Sequence, residues 1–136
     1  MLRIIARVLG IVVGLLAIVG FFIEGEHLLG IMNVDLALDI IRVVIAAALL
    51  YVGFARVPLS AVRAVLIAVG ALYVLMGLLA FADPTLFGLL PTGLTGFDIA
   101  FHLIVGAGAV VLALLPALQK DSPEYESNRR SSGVTP

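Results

Sequence analysis

The sequence predicts an all-α polytopic membrane protein with four transmembrane helices arranged as two tandem hairpin repeats. Three observations predict it. Apolar residues make up 62% of the 136 residues and charged ones only 12%, against roughly half and a quarter in soluble domains. The apolar residues gather into four long runs, about 5–23, 36–54, 59–82 and 97–118, each near the ~20 residues a helix needs to cross a ~30 Å hydrocarbon core. The basic residues outside the runs gather on one side of a four-span path, in the manner of a multi-pass protein.

The first run follows Arg3 and Arg7 and has the look of a signal-peptide core, but Phe21-Phe22-Ile23-Glu24 makes a poor cleavage site, so an uncleaved span is expected. The second run carries Asp39 and Arg42, the third only Arg63 near its start, and the fourth Asp98 and His102. Helix is the conformation expected for all four, because backbone N–H and C=O groups surrounded by lipid must pair within their own segment. The alternating polarity of a membrane barrel is absent. Pro58 stops the second helix and forces a short turn, which makes the second and third helices antiparallel neighbours. The two longer connections, 24–35 and 83–96, contain His27-Leu28-Leu29-Gly30-Ile31-Met32 and Leu86-Phe87-Gly88-Leu89-Leu90-Pro91. Such greasy loops should lie in the membrane interface or fold back over the bundle.

Arg3, Arg7, Arg56, Arg63, Lys120, Arg129 and Arg130 fall on one side of this path, while Glu24, Glu26, Asp35 and Asp83 fall on the other. The positive-inside rule then places both termini in the cytoplasm. An arginine-rich, Ala-, Gly- and Val-rich composition points to a bacterial cytoplasmic (inner) membrane. Residues 119–136 are polar and rich in Ser, Asn and charge, which predicts a disordered cytoplasmic tail. A net charge of −1 with scattered basic residues excludes nucleic acid as a partner, and the lack of cysteine excludes disulfides and thiolate chemistry.

Residues 7–50 can be laid over 63–111 with small gaps: an arginine, a Gly- and Val-rich helix, an acidic exit, Leu-Leu-Gly or Leu-Phe-Gly, then Asp39 or Asp98 early in the next helix. Two spans per half make the repeat a parallel one, with its pseudo-axis along the membrane normal. On Phe87-Gly88-Leu89-Leu90-Pro91, Phe97-Asp98, His102-Leu103 and Gly106, and on the weaker echo Gly30-Ile31-Met32-Asn33, the chain resembles a bacterial family of small four-span membrane proteins classed as a domain of unknown function, the 4383 type. The resemblance covers roughly residues 3–118 and implies the four-span fold, with no assigned activity. The chain departs from that family's pattern near Arg42, where a histidine is expected.

The candidate site is the intramembrane cluster Asp39, Arg42, Asp98 and His102. Spacings of three and four put each pair on one helix face, and both pairs lie at matching depth, ~9 Å inside their helices. A charged Asp or Arg costs about 2.5–3.5 kcal/mol at a helix centre, so these residues are either a titrating site or a clasp in which Arg42 bridges to Asp98, or Asp39 to His102, and pins the two halves. Glu24, Glu26, His27 and Asp35 form a possible external acidic patch able to offer hard oxygen ligands to a divalent cation, or simply a solvated loop surface. Gly10, Gly14, Gly106 and Gly108 are candidates for close helix packing.

No catalytic, metal or cofactor motif emerges, and the expectation is a non-enzymatic accessory or structural subunit of a larger membrane assembly, in contact with lipid and with other membrane proteins or itself. Two alternatives stand beside it: a small proton-linked transporter or permeation unit working through Asp39, Arg42, Asp98 and His102, and a redox subunit holding haem through His27 and His102 or a quinone near Tyr51 and Tyr73.

Overall fold

A computed structural model describes residues 1–23, 27–119, 127 and 130–133. Glu24 and Glu26 of the acidic patch, Lys120, Arg129 and most of the expected tail lie outside the described residues. The chain forms α1 (Leu2–Phe22), β1 (His27–Leu28), β2 (Met32–Asn33), α2 (Leu36–Phe54), α3 (Leu59–Ala82) and α4 (Gly96–Leu114), followed by a 3-10 turn at Pro116–Gln119. It is an all-helical architecture in which all four helices are long and apolar enough to cross a membrane, and bulky side chains such as Ile4, Val44, Phe81 and Ile104 face outward to lipid. This is a multi-pass membrane protein.

The boundaries of α2 and α3 coincide with the expected spans. α1 begins earlier, at Leu2, because Arg3 and Arg7 are part of a packed helix face and not a solvated leader. α4 ends at Leu114 instead of residue 118, since Pro116 biases the residue before it away from helical geometry; Leu115 is extended at φ −66°, ψ 120°. The two-residue strands were not expected. They pair antiparallel, His27 opposite Asn33 and Leu28 opposite Met32, and turn the first long loop into a small hairpin.

α1 packs along α2 and α3 along α4, with a lighter seam between the two pairs. The buried stripe of α1 is Leu2, Ala6, Gly10, Val13, Ala17 and Gly20, a three-and-four spacing that puts small residues on one face and lets α2 come close. α3 and α4 approach still more closely. A Cβ on Gly70 would lie 2.6 Å from the Gly106 carbonyl oxygen, and one on Gly106 would lie 2.7 Å from the Gly70 carbonyl oxygen, so the helices cross backbone to backbone.

Of the four expected packing glycines, Gly106 fills that role completely and Gly10 fits tightly against Leu49 and Leu50, while Gly14 has only ordinary contact with Ala46. Gly108 does not pack at all: a Cβ there would meet nothing within 4 Å, because two residues along the helix from Gly106 the face has rotated away from α3. Gly20, Gly53, Gly70 and Gly77 are the further close-approach positions.

At the end of the bundle bearing the α2–α3 turn, Arg3 donates from Nη1 to the carbonyls of Val52 (3.1 Å) and Ala55 (2.9 Å) and from Nη2 to that of Val57, and Arg7 Nε donates to Gly53 O at 2.8 Å. These are the carbonyls that the end of α2 and the following turn leave without helical partners, and the positive charges also complement the negative end of the helix dipole. The Arg7 guanidinium lies 4.7 Å above the Phe54 ring as well. At the opposite end the second long loop folds back: Leu86, Leu90 and Leu94 cap Leu38, Met76 and Ala80 in a second apolar cluster. Leu29 and Phe87, at the loop tips, remain 87% and 75% exposed. Asp83 accepts from the Thr85 amide (2.8 Å) and hydroxyl (2.7 Å), and those bonds hold its carboxyl below the usual range. The turn is therefore braced above the ordinary carboxylate pKa and loosens as the pH falls through the lowered one.

Gly106→Val should cost about 1–3 kcal/mol or more, the range for forcing bulk into a packed contact, whereas Gly108→Ala should stay within ~0.5 kcal/mol of wild type. Reversible unfolding in mixed micelles measures both.

Candidate functional site

The candidate residues converge at the loop end, and Asn33 is what joins them. Asp39 and Arg42, one turn apart on α2, form a buried pair with Arg42 Nη1 2.6 Å from Asp39 Oδ1. The Asp39 carboxylate fits beside α1 only because residue 20 is glycine; a Cβ there would lie 2.1 Å from Oδ2. Arg42 Nη1 also donates to the Asn33 carbonyl at 3.0 Å, and the Asn33 amide N–H donates in turn to Asp98 Oδ2 at 2.8 Å. The two helices are linked through the backbone of one residue, in place of the direct Arg42–Asp98 or Asp39–His102 bridge expected.

Asn33 is fully buried, and its side chain completes the link. Its Nδ2 donates toward Gly93 O (2.7 Å), Asp35 Oδ2 (2.8 Å) and Thr92 Oγ1 (2.8 Å), and its Oδ1 accepts from the Asp35 amide at 2.9 Å. Asp35 Oδ2 accepts further bonds from the Thr92 amide (3.0 Å) and hydroxyl (2.8 Å). Asp35 is thus turned inward and 5% exposed, not part of a surface patch. His27, on β1, is half-buried. Among the described residues no group of three or more His, Asp or Glu side chains is placed to hold a metal ion.

Asp98 does not pair with the His102 imidazole as its spacing suggested. It occupies the third position of α4, where its Oδ2 accepts from the Thr95 amide (2.9 Å) while the Thr95 hydroxyl accepts from the Asp98 amide (3.2 Å), a reciprocal capping box. Thr95 Oγ1 also lies within bonding distance of Asp98 Oδ2 (2.9 Å) and of the Ile31 carbonyl, which ties the first loop to the start of α4. His102 Nδ1 donates to the backbone carbonyl of Asp98 at 2.6 Å. A carbonyl can only accept, so Nδ1 carries the proton and the ring turns Nε2 away from its own helix turn. The ring lies 4.9 Å from that of Tyr73 on α3, and Phe101 stands beside both. Arg42 is close enough for its charge to act on Tyr73 and His102, so α2, α3 and α4 all contribute to this cluster.

Among the described residues, Arg42 Nη2 and Asp98 Oδ1 are buried here without a hydrogen-bond partner. The sequence reading missed Asn33, Thr92, Thr95 and the inward turn of Asp35. The Thr95-x-x-Asp98 spacing is a legible capping signature; the pairings of Asn33 with residues some 60 positions away have no local signal. Comparison with protein-family models, curated proteins and solved structures gives no match.

Arg42→Met should cost about 3–5 kcal/mol by stranding a buried carboxylate, and adding Asp39→Asn should recover the larger part. Strictly additive losses in a double-mutant unfolding cycle would show that the pair does not act as a unit. Asn33→Ala should cost about 2–4 kcal/mol through the partners it leaves unmatched and should raise amide exchange in both long loops together.

Proposed function

We propose that the chain is a non-catalytic accessory or structural subunit of a larger membrane assembly. The observation that carries this is how the polar residues are used: Asn33, Asp35, Thr92, Thr95 and the Oδ2 atom of Asp98 are bonded to one another and to loop backbone, while every helix turns large apolar side chains outward. Such a body is stiff inside and available to neighbouring helices on its surface. The arginine distribution supports a bacterial inner-membrane location with the α2–α3 turn and both termini on the cytoplasmic side.

An origin by tandem duplication is supported by matching backbone in the two loops. Leu29 and Gly30 have φ of 53° and 74°, and Phe87 and Gly88, their counterparts in the sequence overlay, 60° and 89°. Kinship with the four-span 4383-type family rests on the motifs around Phe87-Gly88-Leu89-Leu90-Pro91 and His102.

The unpartnered Arg42 Nη2 and Asp98 Oδ1, together with the imidazole of His102 beside Tyr73, favour a second function: a proton-linked permeation unit.

Extraction from native membranes in mild detergent should yield the chain with a stoichiometric protein partner; a monomer alone would overturn the subunit assignment. For the permeation unit, liposomes containing the purified chain should pass protons or a small solute and lose the flux on His102→Ala. Tight vesicles would eliminate it.

A further inference from the structure

The loop end of the bundle has its polarity reversed. Asn33, Asp35, Asp39, Arg42 and Asp98 are turned inward and buried there, while Leu29, Ile31, Phe87 and Leu89 are exposed on the loops. Asp83, at the same end, is half-buried and bonded to Thr85. The arginine end is arranged the other way, with Arg56 and Ser60 exposed and Leu2 and Val62 buried. A surface made for water keeps its charges outside, so the loop end is matched to an apolar surrounding. Nor does the lipid-facing surface of the helices stop where the helices do. Exposed Phe22 and Leu36 flank the first long loop, and exposed Phe81 and Phe97 flank the second, so the apolar exterior runs on from the helices over both loops.

Backbone geometry points the same way. Leu29 and Phe87 hold left-handed φ values of 53° and 60°, each followed by a glycine, at 74° and 89°. Loop tips in water give such positions to Gly, Asn or Asp, which adopt them at least cost. Here both tips carry a bulky apolar side chain that is strained by its backbone and touches little of its own protein. Contact outside the protein has to offset that cost. The same tip occurs in both long loops, so whatever meets it presents the same chemistry at two places, as a lipid layer does all round the bundle and a single protein partner does not. We propose that Leu29 and Phe87 are membrane anchors, seated where head groups meet acyl chains in the leaflet at the loop end. This surface goes beyond the subunit assignment and does not rest on it.

The chain contains neither cysteine nor tryptophan, so single substitutions report on one place each. The test uses the full chain in nanodiscs of mixed phosphatidylglycerol and phosphatidylethanolamine, which leave both faces open to water-soluble reagents. Leu29→Cys and Phe87→Cys should react with a charged maleimide about tenfold more slowly than Ser132→Cys, exposed in the polar C-terminal stretch, because the reacting thiolate is disfavoured in apolar surroundings. Leu29→Trp and Phe87→Trp should emit at shorter wavelength than Ser132→Trp and be quenched by phospholipid brominated near the glycerol end of its chains, with quenching by aqueous iodide lost. Labelling of the tips at the Ser132→Cys rate, or quenching by iodide and not by brominated lipid, would put them in water and overturn the proposal. So would slow labelling in native membranes that becomes fast in the nanodiscs, which would assign the tips to a protein neighbour.

Discussion

The structure depends on one buried residue. Asn33 belongs to a two-residue strand, yet it joins Arg42 of the second helix to Asp98 of the fourth and both to the loop carrying Thr92 and Gly93. In an apolar surrounding each unmet donor or acceptor is costly, and Asn33 answers several of them from one place. Because the bonds are mutual, the two loops and the first turns of α2 and α4 form as one element. This is why a sequence that looks like four greasy helices with slack connections has an ordered cap.

Hydropathy and punctuation made the helices legible. α2 and α3 start and stop where Asp35, Pro58 and Asp83 interrupt the apolar runs, and these are strong local signals. At the end of α4 hydropathy continues through Pro116, where helical backbone geometry does not. The candidate cluster was legible as a set of polar residues in the wrong solvent, but its wiring was not. Helical spacing brings Asp98 and His102 to one face without deciding whether the carboxylate turns to the imidazole or back to the helix start. The capping box decides it, as Thr95 offers both a donor and an acceptor at shorter reach. Glycine roles divided in the same way: Gly106 and Gly108 look alike in a string of letters, and only the rotation of ~200° between them separates a helix crossing from an open face.

The two ends of the bundle solve the problem of loose backbone groups differently. At the loop end, side chains and main chain of separate segments satisfy each other. At the arginine end, two long cations from α1 reach across to the carbonyls finishing α2 and close that helix. Charge placement and packing are the same device there.

The backbone crossing at Gly70 and Gly106 carries a mechanical consequence. Two helices that interlock through their main chains can neither slide nor roll, so α3 and α4 move as a single stave. α1 and α2 are likewise clipped together by Arg3 and Arg7. With the cap fastening both staves at one rim, any yielding to lateral pressure in the bilayer hinges at the cap and opens the far rim, where the short turn around Pro58 joins α2 to α3.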